Sequence, residues 1–227
     1  MSKNYAIIPA AGLGIRFGGQ TRKQFLELKG KPLFQWSVEA FVKTGLFEKI
    51  VVCLPAQGRG DPAPTVGVGV PDPCIFITVG ATRAESVKKG FEFLHSQDDD
   101  TVLVHDAVRP LVSVDLIKKI VEATKVKWAV VPVVPISDTV KEMDGDKVKK
   151  TIPRNQLRLT QTPQGFSCRI LSALYKSHPD LGQNSTDEAM MVEGMGTDVF
   201  VVEGDSKNIK VTTPDDLKLA EYYLNSL

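Results

Sequence analysis

Short runs of apolar, often β-branched residues recur along the chain at residues 5–11, 49–55, 74–80, 101–107, 128–135 and 198–203, and each has the length of a strand. Between them, residues 32–44, 82–96 and 113–126, and later 167–177, carry apolar positions at helical spacing. Strand alternating with helix predicts an α/β fold. The run Lys49-Ile-Val-Val-Cys-Leu-Pro55 has no polar face, which predicts burial on both sides, as in a mostly parallel sheet covered by helices. Ser113 stands where it can cap one helix. Thr213-Pro-Asp-Asp216 puts proline at a first helical position with acids behind it, predicting a last helix from Pro214 to near the C-terminus.

Two segments break this rhythm. Residues 56–73 are rich in Gly and Pro and have no helical period, so an irregular connection is expected. Residues 139–152 alternate on either side of Asp144-Gly145, which reads as a β-hairpin. The expected organisation is one domain over residues 1–227, with the hairpin arm at 137–157 inside it.

Composition narrows the function. A formal net charge of +1 gives no general attraction to nucleic acid or to an anionic membrane, so any anion site must be local. Three scattered cysteines, Cys53, Cys74 and Cys168, argue against a disulfide framework or a zinc site. The three histidines have no helical metal-pair spacing. No targeting or membrane-spanning segment is read at the N-terminus, and a reducing, cytoplasmic location is expected.

The first strand runs directly into Pro9-Ala-Ala-Gly-Leu-Gly-Ile-Arg16, with Lys23 shortly after. Glycines let backbone N–H groups approach a phosphate, and ligands collect at the carboxyl ends of the strands in such sheets. The glycines at Gly12, Gly14 and Gly18 do not have the spacing of the dinucleotide fingerprint, and no Gly-Lys-Ser or Gly-Lys-Thr completes a P-loop. A triphosphate bound by the loop with Arg16 and Lys23 is the favoured reading. His105-Asp-Ala-Val-Arg-Pro110 closes another strand and brings Asp106 and Arg109 to the same edge, either for ligand binding or as a structural pair. His105 can equally be read as a satisfied strand-end histidine.

These motifs, together with Thr82-Arg-Ala-Glu-Ser86, Asp138-Thr-Val-Lys141, Arg154, Thr162-Pro-Gln164, Thr186-Asp-Glu188 and Asn208-Ile-Lys-Val-Thr212, resemble in their order the 2-C-methyl-D-erythritol 4-phosphate cytidylyltransferases over nearly the whole chain. The resemblance implies a Rossmann-like, three-layer nucleotidyltransferase fold of the GT-A kind with a protruding β-arm. It also implies transfer of a cytidylyl group from CTP to 2-C-methyl-D-erythritol 4-phosphate in isoprenoid precursor synthesis. Ribitol 5-phosphate cytidylyltransferase and a non-catalytic nucleotide sensor are the alternatives.

The resemblance further implies residue roles. Ala10, Ala11, Gly12 and Gly14 would lie along the nucleotide, with Gly80, Arg83 and Ser86 at the cytosine and Asp106 and Ala107 near the ribose. Arg109, Thr139, Arg154, Thr162 and Lys210, with Asp106, would hold the acceptor. Arg16, Lys23, Arg154 and Lys210 would carry catalysis, and Thr139 and Arg154 would come from the neighbouring subunit of a homodimer. Mg2+ is the expected cofactor, with Asp106 as a candidate ligand. The chain departs from the family pattern at residues 56–73 and at Gln161, where leucine is frequent.

Overall fold

The computed structural model describes residues 2–12, 22–55, 72–79, 82–178 and 186–226. Gly14, Arg16, Gly80 and nearly all of the Gly/Pro-rich connection lie outside the described residues.

The strands of the main sheet are β1 (Asn4–Pro9), β4 (Lys49–Pro55), β5 (Cys74–Val79), β6 (Thr101–Val104), β7 (Ala129–Pro135), β10 (Arg158–Thr160), β11 (Gln164–Ser167) and β12 (Phe200–Glu203). Their order is β10-β7-β11-β6-β1-β4-β5, with β12 also pairing β7. The block β6-β1-β4-β5 is parallel throughout, as is β12 on β7, whereas β11 and β10 pair antiparallel. Two small hairpins stand apart: β2 (Glu27–Leu28) with β3 (Lys31–Pro32), and β8 (Val140–Asp144) with β9 (Lys147–Ile152).

The continuous apolar strands are buried on both faces, as expected. Tyr5 and Ile7 of β1 face one core with Val51 and Cys53; Ala6 and Ile8 face the other with Ile50 and Val52. Against the first core pack α2 (Arg83–Leu94), α4 (Cys168–Ser177) and α5 (Glu188–Gly194), and against the second α1 (Leu33–Lys43) and α3 (Val114–Lys127). The result is a three-layer α/β fold. A smaller cluster joins α6 (Pro214–Asn225) to Leu28, Leu33 and Leu111.

The helix starts follow their caps. Ser113 Oγ accepts from Leu116 N–H at 3.2 Å, and Thr213 with Asp216 forms a capping box in front of α6. Thr82 and Glu85 do the same for α2, fixing where Arg83 leaves the sheet edge. Helix α2 sits hard against β1: a Cβ at Gly90 would lie 2.8 Å from Ile7 Cγ2. In the arm, Gly145 turns between β8 and β9 with φ +60°, as the Asp144-Gly145 pair predicts.

Several expected boundaries shift. The strand expected at 101–107 ends at Val104, because the Asp106 N–H turns to Thr162 Oγ1 instead of the ladder. The structure adds an antiparallel strand, β11, and a short helix, α5, to the elements that the sequence predicts. No helix among the described residues is long and apolar enough to cross a membrane.

Candidate active site

The carboxyl ends of β1 and β6 open onto a cleft of about 140 Å³ lined by Pro9, Ala10, Gly12, Lys23, Gln24, Arg83, Asp106, Ala107, Val108 and Lys210. Most of the residues expected along the nucleotide, together with Lys23 and Lys210, thus converge there from widely separated places in the sequence. Gln24, buried, donates from Nε2 to the carbonyls of Ala10 at 2.6 Å and Gly12 at 3.1 Å. It pins the start of the glycine loop beside Lys23. The Ala11 carbonyl accepts from Arg22 Nη1 at 3.5 Å.

Asp106 is the hub. Its side chain is 8% exposed, and it meets Arg83 Nε at 3.0 Å and Lys210 Nζ at 2.8 Å, with Arg109 Nε at 3.8 Å. Burial alone would raise the Asp106 carboxyl, but Arg83, Lys210 and Arg109 together hold it well below the usual carboxylate range. It is therefore ionised at every working pH, an acceptor and anchor rather than an acid.

Arg83 reaches in two directions. Its Nη1 donates to both carboxylate oxygens of Glu188 at 2.9 Å, and Glu188 is fully buried. Burial pushes the Glu188 carboxyl up while Arg83 opposes the rise. Asp187 caps α5 by accepting from Met190 N–H at 2.9 Å, and Gln164 holds that cap from β11. Glu188 belongs to the Thr186-Asp-Glu188 motif, but the sequence assigns it no role, because its partner lies 105 residues away.

Behind Asp106, His105 is fully buried and doubly bonded. The Arg109 carbonyl can only accept, so His105 Nε2, 3.3 Å from it, carries the proton. Nδ1 must then accept from the Thr162 hydroxyl at 3.0 Å, and that hydroxyl in turn accepts from Asp106 N–H at 3.0 Å. Burial lowers His105 to about 4. Of the two readings, it is the satisfied strand-end histidine. Neither His105 nor Asp106 is set to exchange a proton near neutral pH.

The other expected residues are dispersed. Arg109 is buried, pushed down by that burial, and donates from Nη1 to the Asn208 carbonyl at 2.8 Å. Ser86 is fully buried and donates to the Thr82 carbonyl at 2.7 Å, so its hydroxyl proton is committed inside α2. Thr139 and Arg154 are exposed at the base of the arm and do not line the cleft of their own chain; Arg154 Nη1 donates to the Ser137 carbonyl.

Lys23, Arg83 and Lys210 line the cleft with Asp106 as its acid, so cations outnumber carboxylates there in a chain of almost no net charge. The cleft is built for an anion. Among the described residues no cluster of three or more His, Cys, Asp or Glu forms a metal cage, and Asp106 already serves Arg83 and Lys210.

A family model described as 2-C-methyl-D-erythritol 4-phosphate cytidylyltransferase matches residues 5–226. A protein of that name from Bacillus cytotoxicus is 40% identical over 220 residues, covering 96% of each chain. One from Endomicrobium trichonymphae is 40% identical over 226 residues, covering 99% of this chain and 100% of its own. The crystal structure of the Thermus thermophilus protein of that name superposes with a TM-score of 0.80 at 34% identity, covering 99% of this chain and 100% of that one.

Proposed function

The chain belongs to the 2-C-methyl-D-erythritol 4-phosphate cytidylyltransferase family, and on that premise we propose how its own residues perform the transfer. It is an enzyme that transfers a cytidylyl group from CTP to 2-C-methyl-D-erythritol 4-phosphate, releasing pyrophosphate, in isoprenoid precursor synthesis. The observation that carries the site assignment is the cationic cleft at the ends of β1 and β6, gathered around an always-ionised Asp106.

The acceptor phosphate oxygen forms a bond to the α-phosphorus of CTP while the bond from that phosphorus to the oxygen bridging the β-phosphorus breaks. A phosphate monoester has a second pKa of about 6, so near neutrality it is already the dianion and no proton need be removed. The barrier lies in joining two anions and in the charge that grows on the phosphate oxygens. Lys23 and Arg16 meet the triphosphate and the leaving pyrophosphate; Lys210 and Arg109 face the acceptor beside Asp106, whose carboxylate accepts from a ribose or acceptor hydroxyl. Ala10, Ala11 and Gly12 would lie along the nucleotide, and Arg83 and Ala107 would frame the cytidine, with Ser86 behind them holding the first turn of α2. Thr162 fixes the Asp106 turn.

The chain acts as one nucleotidyltransferase domain whose arm, residues 137–157, crosses to a second copy and brings Thr139 and Arg154 to that copy's acceptor phosphate. Supporting this, both residues are exposed and outside their own cleft. A magnesium ion, with Asp106 as the candidate protein ligand, would supply neutralisation of phosphate charge. The working location is the cytoplasm.

The test is pyrophosphate release from CTP and magnesium with 2-C-methyl-D-erythritol 4-phosphate, with ribitol 5-phosphate, and without acceptor. Release with the first alone is expected. Release with ribitol phosphate alone would change the acceptor, and CTP binding without release in any mixture would make the chain a sensor.

A further inference from the structure

Lys210 enters the cleft from the segment that follows β12, and the way that segment is held is unusual. Gln161, 5% exposed, lies in the break between β10 and β11, where its own N–H donates to the Pro132 carbonyl at 2.8 Å. Its side-chain amide then treats Asp205 as a strand neighbour would. Nε2 donates to the Asp205 carbonyl at 2.8 Å, and Oε1 accepts from the Asp205 N–H at 3.1 Å. The same two atoms make longer bonds to the Asn208 carbonyl at 3.4 Å and Asn208 Nδ2 at 3.5 Å.

This pairing settles the amide's orientation: reversed, it would set oxygen against two carbonyls and nitrogen against two donors. Both donors and both acceptor positions of one side chain are spent on a four-residue turn. Room for this is made by Gly204, where a Cβ would lie 2.6 Å from Gln161 Oε1.

The turn is then passed forward. Asn208, fully buried, donates from Nδ2 to the Thr162 carbonyl at 2.8 Å and offers its own carbonyl to Arg109 Nη1 at 2.8 Å. Three residues on, Val211 N–H reaches the Val108 carbonyl at 2.9 Å. Lys210 is thus carried on a short span fixed at both ends, one end by the Gln161 clamp and the other by the Asp106–Arg109 turn.

We propose that Gln161 is a positioning residue for the acceptor phosphate: by acting as a surrogate strand partner of Asp205, it sets where Lys210 presents its ammonium in the cleft. The proposal rests on the reading that Lys210 faces the acceptor, and it adds a residue that touches neither substrate. An apolar side chain of the same length keeps the packing and loses all four bonds. A glutamate keeps the accepting half and, when protonated, recovers one donor to the Asp205 carbonyl.

Gln161→Met and Gln161→Glu are measured by pyrophosphate release, varying each substrate in turn, with thermal unfolding alongside. Gln161→Met should raise KM for the acceptor by about tenfold, the scale of a displaced charge contact, with KM for CTP changed less than about twofold. Gln161→Glu, compared with the parent at each pH, should show an acceptor KM that returns toward the parent's from about pH 8 to about pH 5.5 as its carboxyl takes up a proton. Taking the ratio to the parent removes the titration of the substrate phosphate. A folded Gln161→Met with both KM values unchanged overturns the proposal, as does a proportionate loss of turnover for both substrates. If Gln161→Met does not fold, the pH response of Gln161→Glu decides: a flat ratio overturns it. Failure of the parent to use the acceptor at all would instead strike the functional reading on which the clamp rests.

Discussion

A single nitrogen of Arg83, Nη1, donates to both carboxylate oxygens of Glu188 at 2.9 Å, while the Nε of the same guanidinium holds Asp106 at 3.0 Å. One side chain therefore ties the start of α2, the start of α5 and the cleft carboxylate together. Glu188→Gln keeps the shape and removes the charge, leaving Arg83 with Asp106 as its ionic partner. It should lower stability by about 2 kcal/mol, less than the full cost of a stranded buried charge because Arg83 is a quarter exposed and still paired. Urea unfolding at neutral pH measures it. Arg83→Met strands Glu188 instead. The raised carboxyl then binds a proton that the unfolded chain does not, so stability should fall as pH rises above the ordinary carboxylate range.

Lys23→Ala should lower kcat by at least about a hundredfold, the scale of one preorganised contact to developing charge, with unfolding unchanged. The side chain lines the cleft and no core cluster includes it. Near-normal turnover in a steady-state assay would remove Lys23 from the chemistry.

Arg154→Ala should spare CTP binding and weaken use of the acceptor. If the arm serves a second copy, mixing inactive Arg154→Ala with inactive Lys23→Ala and letting subunits exchange should restore about a quarter of parental activity, since half the dimers are mixed and each has one intact site. No recovery after verified exchange would place Arg154 in its own chain's site.

His105 gives a pH signature. Its folded-state value is lowered from 6.5 to about 4, so between those limits the unfolded chain binds the extra proton. Its stabilising contribution is whole above the upper limit and is lost as pH falls toward the lower one, a change of about 3 kcal/mol. Unfolding free energies across that window should slope upward with pH, and His105→Gln, which cannot titrate, should flatten the slope by roughly that amount.

Gly90→Ala should cost about 1–3 kcal/mol by urea unfolding, although alanine favours helix by about 1 kcal/mol at an exposed position. The new methyl would press on Ile7, a fully buried β-branched residue, and on Cys53 Sγ at 3.1 Å, so α2 would have to move off the sheet. A neutral or stabilising result would mean that the helix retreats without penalty.

What the sequence made legible follows from how each element is stabilised. The strand Lys49–Pro55 was readable with its full span because both faces are buried and every residue declares it. Ser113 and Thr213 announce helix starts through local bonds three residues long. Strand β11 was hidden because Gln164-Gly-Phe-Ser167 has no strand pattern of its own. It is held by β6 and β7, and Gly165 is there because Oγ1 of Thr124 in α3 stands where a Cβ would need room. Of the cleft, Lys23 and Asp106 were legible as charged residues close behind strand ends, whereas Arg83 and Lys210 were marked only by the family resemblance. Glu188 and Gln161 were not legible, because their work is defined by partners far along the chain, and only the folded molecule shows which polar groups they satisfy.

The arm keeps its own counsel in a different sense. Strands β8 and β9 pair with each other and with no strand of the main sheet, and Met143 and Val148 stand exposed among lysines and acids. Substitutions there are not felt by either core, so the arm is free to drift while the catalytic body stays constrained. On the proposal that the arm serves a second copy, the choice of partner can change without disturbing the fold that holds the cleft.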